Sequence, residues 1–328
     1  MIEINNKFLT GYTYIDLFCG IGGFHLALSS FGASCVFASD INKDAQISYQ
    51  KNFGIQPYGD ITKISAKNIP AHDILCAGFP CQPFSISGNQ QGFDDEHGRG
   101  RLFFNIIDVI REHHPKMVLL ENVKNLEKHD DGKTLLRIRT ELQNNGYTVF
   151  NSVLCAADYN IPQARHRIYI IAFRKDLGVR EFNFPMALDE FSSLDSVLIE
   201  DNNNEVPGNY YITREYTIVN EDVDREKRLI RIGQIGLGRQ GERIYSITGL
   251  ASTLSSQGGG LGGKTGMYLI NGRVRKLYPR ECARLMGFPD SFILAQTQER
   301  CYNQFGNSVV VNVLQHIINQ TQNIWEEL

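Results

Sequence analysis

The feature that most constrains the fold is a regular alternation of short apolar runs with helical patterns. Tyr14-Ile15-Asp16-Leu17-Phe18, Cys35-Val36-Phe37-Ala38, Ile74–Ala77 and Met117–Leu120 have strand length and are too short for helices. Helical periodicity fills the gaps. It runs through His25–Leu28 to a stop at Gly32, and from about Lys43 to Asn52. It returns from Leu102 to His113, with Pro115 just beyond, and from Leu135 to Asn145, where Gly146 ends it. Val149–Leu154 and Arg167–Phe173 read as further strands. This order implies an α/β fold with a doubly wound, mostly parallel sheet. Such sheets build their sites just past the carboxyl ends of the strands.

The pattern breaks down after Pro185. Glu200–Glu205 is a polar linker or long loop, and Gln234–Gly272 is glycine-rich with little periodicity, as expected of loops on a smaller irregular β-rich domain. Ser308–Glu327 is apolar again and is expected to rejoin the large domain. The expected division is therefore residues 1–195, completed by 300–328, and a smaller domain over 196–299. Net charge is only −3, but it is unevenly spread. Arg225–Arg280 holds 11 Lys/Arg and two Asp/Glu, or +9, leaving 22 and 34, or −12, for the rest. Asp189–Asp224 has ten acids and one base. A basic module on an acidic body is the footprint of a polyanion binder; the plainer alternative is a solvated surface. No apolar run reaches membrane-spanning length, and the start MIEINNKFLTGY lacks the pattern of a signal peptide. The seven cysteines (19, 35, 76, 81, 155, 282, 301) form no C-x-x-C pair. Neither a disulfide framework nor a metal site is expected, and a cytoplasmic setting fits.

Four segments carry chemistry. Gly78-Phe79-Pro80-Cys81-Gln82 follows the strand-like Asp73–Ala77. Pro80 removes an N–H and fixes φ, so Cys81 sits on a rigid bend, either as a nucleophile or as a small packed residue. Glu121-Asn122-Val123 ends another strand; Glu121 could exchange a proton beside a thiol or simply cap a helix. In Phe18-Cys19-Gly20-Ile21-Gly22-Gly23 the glycines permit close approach to a ligand, but His25 occupies the third glycine position of a dinucleotide fingerprint. With Asp40 placed for ribose hydroxyls and Asp60 for an adenine amino group, this favours S-adenosylmethionine over NAD. Gln163-Ala164-Arg165-His166-Arg167 offers two arginines at i, i+2, which should share a face and clamp a phosphate and a base carbonyl, or else make surface ion pairs. In the basic module, Arg239-Gln240-Gly241-Glu242-Arg243 and Ser255-Ser256-Gln257-Gly258-Gly259-Gly260 combine base-reading side chains with flexible glycines.

FCGIGG, GFPCQPFS, ENV, QARHRIY, RECARLMGFPDSF and QFGNSV occur in one order. In this the chain resembles the DNA (cytosine-5) methyltransferases nearly end to end. The likeness is strongest to the bacterial HhaI-type restriction–modification methyltransferases, which share the MIEI start, GQGERIYS and KTG-x-YL-x-NG. The resemblance implies an S-adenosylmethionine-dependent methyltransferase fold, with catalysis and cofactor binding in the large domain and target recognition and a hinge in the small one. It implies that the Cys81 thiolate adds to carbon 6 of a flipped-out cytosine, making carbon 5 nucleophilic. Glu121 would hold or protonate nitrogen 3, Arg167 contact the base carbonyl, Arg165 support it and Asn122 brace the pocket. Loss of the carbon-5 proton and β-elimination would then release the enzyme.

By the same resemblance Phe18, Gly20, Gly23, Asp40, Ile41, Asp60, Ile61, Pro80, Asn307 and Ser308 bind the cofactor, released as S-adenosylhomocysteine. Ser87, Gln240, Arg243 and Gln257 face DNA. Close relatives have Glu at the Asp40 position and Trp at Ile41, which implies weaker donor binding, and an aromatic residue at Gln257, which leaves the exact target sequence open. The loop Ile86–Arg101 carries a two-residue insertion relative to them. The expected partners are double-stranded DNA with a short palindrome, GCGC being the candidate, and a cognate restriction endonuclease that shares the site without a stable complex. A monomer with no membrane association and no metal is expected. The alternatives are a tRNA cytosine-5 methyltransferase of the same family and a catalytically silent DNA-binding homologue.

Overall fold

A computed structural model of the chain describes residues 6–79, 102–200, 206–224 and 228–328. Pro80, Cys81 and Ser87 lie outside the described residues, as does the insertion expected within Ile86–Arg101. The chain divides into two compact units. The first comprises Ile2–Leu154, His166–Met186 and Leu314–Leu328; the second, Cys155–Arg165 and Ala187–Val313.

The first unit is built on a six-stranded sheet of β1 (Thr13–Leu17), β2 (Ser34–Ser39), β3 (Ile74–Ala77), β4 (Met117–Val123), β5 (Tyr147–Cys155) and β6 (His166–Arg174), in the order β2-β1-β3-β4-β6-β5. The pairs β1–β2, β1–β3 and β3–β4 are parallel, whereas β6 runs antiparallel to β4. The sheet is therefore mixed, with a parallel half and a reversed strand beside β4. Its helices are α1 (Gly23–Ser30), α2 (Lys43–Phe53), α3 (Leu102–His113) and α4 (Lys133–Asn144). Strands β3 and β4 read as unbroken apolar runs because side chains on both faces are buried. Ile15, Leu75, Val118 and Leu120 share one core with Ile106, Ile110, Ile138 and Leu142. Each such side chain contributes about 1.5–3 kcal/mol on burial. Helix α2 starts at Asn42, whose side chain accepts from Asp44 N at 2.9 Å and Ala45 N at 3.2 Å, and stops at Gly54 with φ 71°. Tyr58 joins β2 through a single parallel bridge to Ser39.

The second unit holds a five-stranded sheet of β7 (Thr217–Asp224), β8 (Leu229–Gln234), β9 (Arg243–Tyr245), β10 (Met267–Ile270) and β11 (Arg273–Lys276), in the order β11-β10-β9-β8-β7. Strands β10 and β11 form a hairpin through Asn271 (φ 51°) and Gly272 (φ 76°), the residues a two-residue turn of this hand requires. Ile235, Ile244, Met267 and Val274 form its small core. Beyond it come α5 (Pro279–Arg284), α6 (Gln298–Asn307), α7 (Val311–Asn319) and α8 (Gln322–Glu326). The apolar pattern at the C-terminus is helical, and from Leu314 on it belongs to the first unit, where Trp325 lies against Tyr12. No helix among the described residues is long and apolar enough to cross a membrane.

Candidate active site

The first sheet collects its polar residues at the carboxyl ends of β1, β2 and β4. After β1 the chain turns through Phe18 (φ 55°) and Gly20 (φ 54°) before α1. The Gly20 N–H donates to Asp40 Oδ2 at 2.8 Å, and the Asn42 N–H donates to Asp40 Oδ1 at 2.8 Å. Asp40 is thereby fixed against the glycine loop. Burial raises its carboxyl above the usual range, partly offset by these two N–H groups. Gly22 is obligatory: a Cβ there would lie 2.2 Å from the Phe53 ring, and its φ is 87°. Ile41 next door is 72% exposed, an unusual state for isoleucine on an ordered edge.

One strand residue missed in the sequence stands out. Asp16 on β1 is 0% exposed, and neither carboxylate oxygen has a hydrogen-bond partner among the described residues. Burial, then the nearby charge of Asp40, pushes its carboxyl well above the ordinary range. The visible signal was one acid inside an apolar strand; reading the run only as a strand hid it.

At the end of β4, Glu121 and Arg167 come together, with Arg167 Nε 3.1 Å from Glu121 Oε1 and both side chains largely buried. The antiparallel register pairs Val123 with Arg167 and Glu121 with Tyr169, which brings the β6 arginine to the β4 acid. Arg167 also donates to the His166 carbonyl at 2.8 Å. The neighbouring Asn122 is buried and donates from Nδ2 to the Phe79 carbonyl at 3.1 Å, two residues before Cys81.

The other expected positions distribute as follows. Asp60 caps the turn Ile61–Lys63, its Oδ1 accepting from Thr62 N at 3.0 Å, while Ile61 is part of the apolar core. Gly23 is the first residue of α1. In the second unit, Asn307 is exposed at the end of α6 and Ser308 is buried. Arg165 precedes β6 rather than lying on it, so the two arginines do not share a strand face. The Arg165 guanidinium instead donates to the carbonyls of Leu254, Gly306 and Ser308. Gln240, Arg243 and Gln257 are exposed. The turn at Gly241 lies against the glycine run: the Gly262 N–H donates to the Gly241 carbonyl at 2.9 Å, and a Cβ on Gly241 would lie 2.4 Å from Gly259 O. The segments that hold Gln240 and Gln257 therefore adjoin.

Part of the basic count is internal. Arg275 is fully buried in a pair with Glu281 at 2.7 Å, Arg228 pairs with Asp158 at 3.4 Å, and Lys264 pairs with Glu299. Among the described residues no cluster of His, Cys, Asp or Glu could hold a metal ion.

The sequence profile of C-5 cytosine-specific DNA methylases matches residues 12–323. The chain is 50% identical over 318 residues to the Type II methyltransferase M.HhaI of Haemophilus parahaemolyticus, covering 97% of this chain and 96% of that protein. It is 39% identical to the Type II methyltransferase M.HpaII of Haemophilus parainfluenzae, over 95% and 90% of the two chains. The structure of the Entamoeba histolytica methyltransferase EhMeth shares the fold at a TM-score of 0.72 and 19% identity, over 96% of this chain and 98% of that one. That of the S. pombe Dnmt2 methyltransferase shares it at 0.68 and 23%, with the same coverage.

Proposed function

The chain belongs to the C-5 cytosine-specific DNA methylase family, and on that premise we propose a specific reaction for it. It transfers a methyl group from S-adenosylmethionine to carbon 5 of a cytosine flipped out of duplex DNA. The target is a short palindrome, with GCGC as the candidate, and the role is modification within a restriction–modification system. The observation that carries this is the Glu121–Arg167 pair beside Asn122, which grips the strand exit leading to Cys81.

The donor is a cation, and the first unit suits one. Asp16 is a fully buried carboxyl and Asp40 a half-buried one, with no ion pair to either among the described residues and with the charge of Asp40 adding to the cost at Asp16. A sulfonium and an ammonium group would supply the missing positive charge. Phe18, Gly20, Gly23, Asp40 and the exposed Ile41 would hold the nucleoside, with Asp60 and Ile61 at its base; Pro80, Asn307 and Ser308 are the remaining donor-binding candidates. When bound, the donor supplies an electrophilic methyl group.

The chain's own residues do the rest. A Cys81 thiolate bonded to carbon 6 pushes electron density onto nitrogen 3 and carbon 5. Glu121 holds a proton at nitrogen 3, where that charge develops, and Arg167 fixes the Glu121 carboxyl and bears on the base carbonyl. Asn122 keeps the Phe79 carbonyl, and with it the approach to Cys81, in register with Glu121. Gln240 and Ser87 would occupy the space that the base leaves, offsetting the few kcal/mol of unstacking, and Arg243 and Gln257 would read flanking bases.

Methyl incorporation into duplex oligonucleotides and into tRNA, followed by bisulfite sequencing of DNA from cells expressing the chain, tests both reaction and site. Methyl-cytosine in one duplex palindrome is expected. Incorporation into tRNA alone would overturn the proposal. So would failure of duplex DNA bearing 5-fluorocytosine at the target to trap an adduct that Cys81→Ala abolishes.

A further inference from the structure

Several cations of the basic module are spent inside the protein. Arg228, Lys264 and Arg275 pair with Asp158, Glu299 and Glu281. The Arg280 guanidinium donates to the carbonyls of Pro289 and Phe292, Arg231 donates to Gln234 Oε1, and Arg273 lies 3.7 Å over the Tyr211 ring. The two arginines that flank Gln240 are held differently. Arg243 donates from Nε to the Gly238 carbonyl at 3.3 Å, which braces the plane of its guanidinium. Arg239 is exposed, and its guanidinium has neither an acceptor nor an ion pair among the described residues.

The backbone behind Arg239 is nevertheless fixed. Its N–H donates to Glu242 Oε2 at 2.9 Å, and its carbonyl accepts from the Glu242 N–H at 2.8 Å. The nearest acid in sequence thus serves the main chain and leaves the guanidinium uncompensated. Just upstream, the Gly238 N–H donates to the Ile235 carbonyl at 3.1 Å, and the Ile235 N–H to the Glu242 carbonyl at 2.8 Å. Gly236 and Gly238 make this turn at φ 53° and 69°. Leu237 between them is 81% exposed, so the turn projects from the sheet instead of packing on it.

A still backbone with an unbraced, unpaired cation suits one kind of partner. Reading a base edge takes two donors held in a plane, as Arg243 is held. A phosphate accepts a positive charge from many directions, and its contacts set register without specifying sequence. We propose that Arg239 binds a backbone phosphate flanking the displaced base, and so sets the register in which Gln240 and Arg243 meet the duplex. This rests on the reading above, in which Gln240 and Arg243 face DNA.

Fluorescence anisotropy of the full chain with a labelled duplex, over a series of salt concentrations, tests this. One duplex carries the methylated site, and a second is altered at one base pair of it. Each neutralised phosphate adds about 0.9 to the slope of log Kd against log salt. Arg239→Gln should lower the slope by about that much, so its deficit against wild type should shrink about 3.5-fold between about 50 and 200 mM salt. Both duplexes should lose affinity by the same factor. Arg239→Lys should keep the wild-type slope, because an ammonium serves a phosphate as a point charge. Melting temperatures should stay at the wild-type value, since the side chain holds nothing in the protein. An unchanged slope in Arg239→Gln overturns the proposal. So does a loss confined to the unaltered site, which would make Arg239 a base reader, and so does an Arg239→Lys variant that behaves like Arg239→Gln. A wild type that neither binds nor methylates duplex DNA overturns the functional reading itself. A wild type that does both, while Arg239→Gln keeps its slope, overturns this proposal alone.

Discussion

Glu121 and Arg167 lie far apart in sequence and 3.1 Å apart in space, and at the residue scale the proposed reaction rests on this pair. Each was legible as a candidate, the acid at a strand end and the arginine in a basic cluster; the pairing depends on the antiparallel register of β6. Glu121→Gln should lower kcat about 10²–10⁴-fold, because the proton at nitrogen 3 is no longer exchanged. It should also cost about 3 kcal/mol of stability, because Arg167 loses that counter-charge in a largely buried place. Single-turnover kinetics with a melting curve separates the two effects; an unchanged kcat would remove Glu121 from the reaction. Asp16 was not legible as a site residue. A buried acid looks like an ordinary polar residue until its surroundings show that water is excluded.

Among the elements, local periodicity marked out α3 and β3 with the bounds the structure shows, since both bury an uninterrupted apolar stripe or run. The β10–β11 hairpin was also written locally, in Asn271-Gly272 between two short strands, but the surrounding glycines masked it. Antiparallel β6 was not legible, because periodicity carries no strand direction. Close approach of elements is equally non-local. Gly306, in α6, has a backbone atom of Ser256 where a Cβ would go, whereas Gly208 has open space. Gly306→Ala should therefore destabilise the protein by about 1–3 kcal/mol, and Gly208→Ala should leave the melting temperature nearly unchanged. Equal melting temperatures for the two variants would show that the contact around Gly306 yields without cost.

For the whole molecule, buried titratable groups make stability depend on pH from both sides. Burial lowers His25 to about 4 and, with His113 nearby, His72 to about 4, against 6.5 for free imidazole. Below pH 6.5 the unfolded chain takes up these protons and the folded chain does not until about pH 4, so stability is lost through that window as pH falls. Asp16 and Asp40 act in the opposite sense: their raised carboxyls cost stability as pH rises above 3.8. His72→Gln isolates one contribution. Its melting temperature relative to wild type should rise as pH falls from 7 to 4.5, and a constant difference would mean that His72 takes up its proton in the fold as readily as in the unfolded chain. The sequence by itself determined the α/β class, the order of most elements, the family and the identity of the candidate site residues, because these follow from periodicity, turn chemistry and motif order along the chain. Only the tertiary structure decided that β6 reverses, that Arg165 clamps carbonyls while Arg167 meets Glu121, and that Arg228, Lys264 and Arg275 of the basic module are ion-paired. Those outcomes depend on which distant groups are buried together, where lost hydration must be replaced by a specific partner.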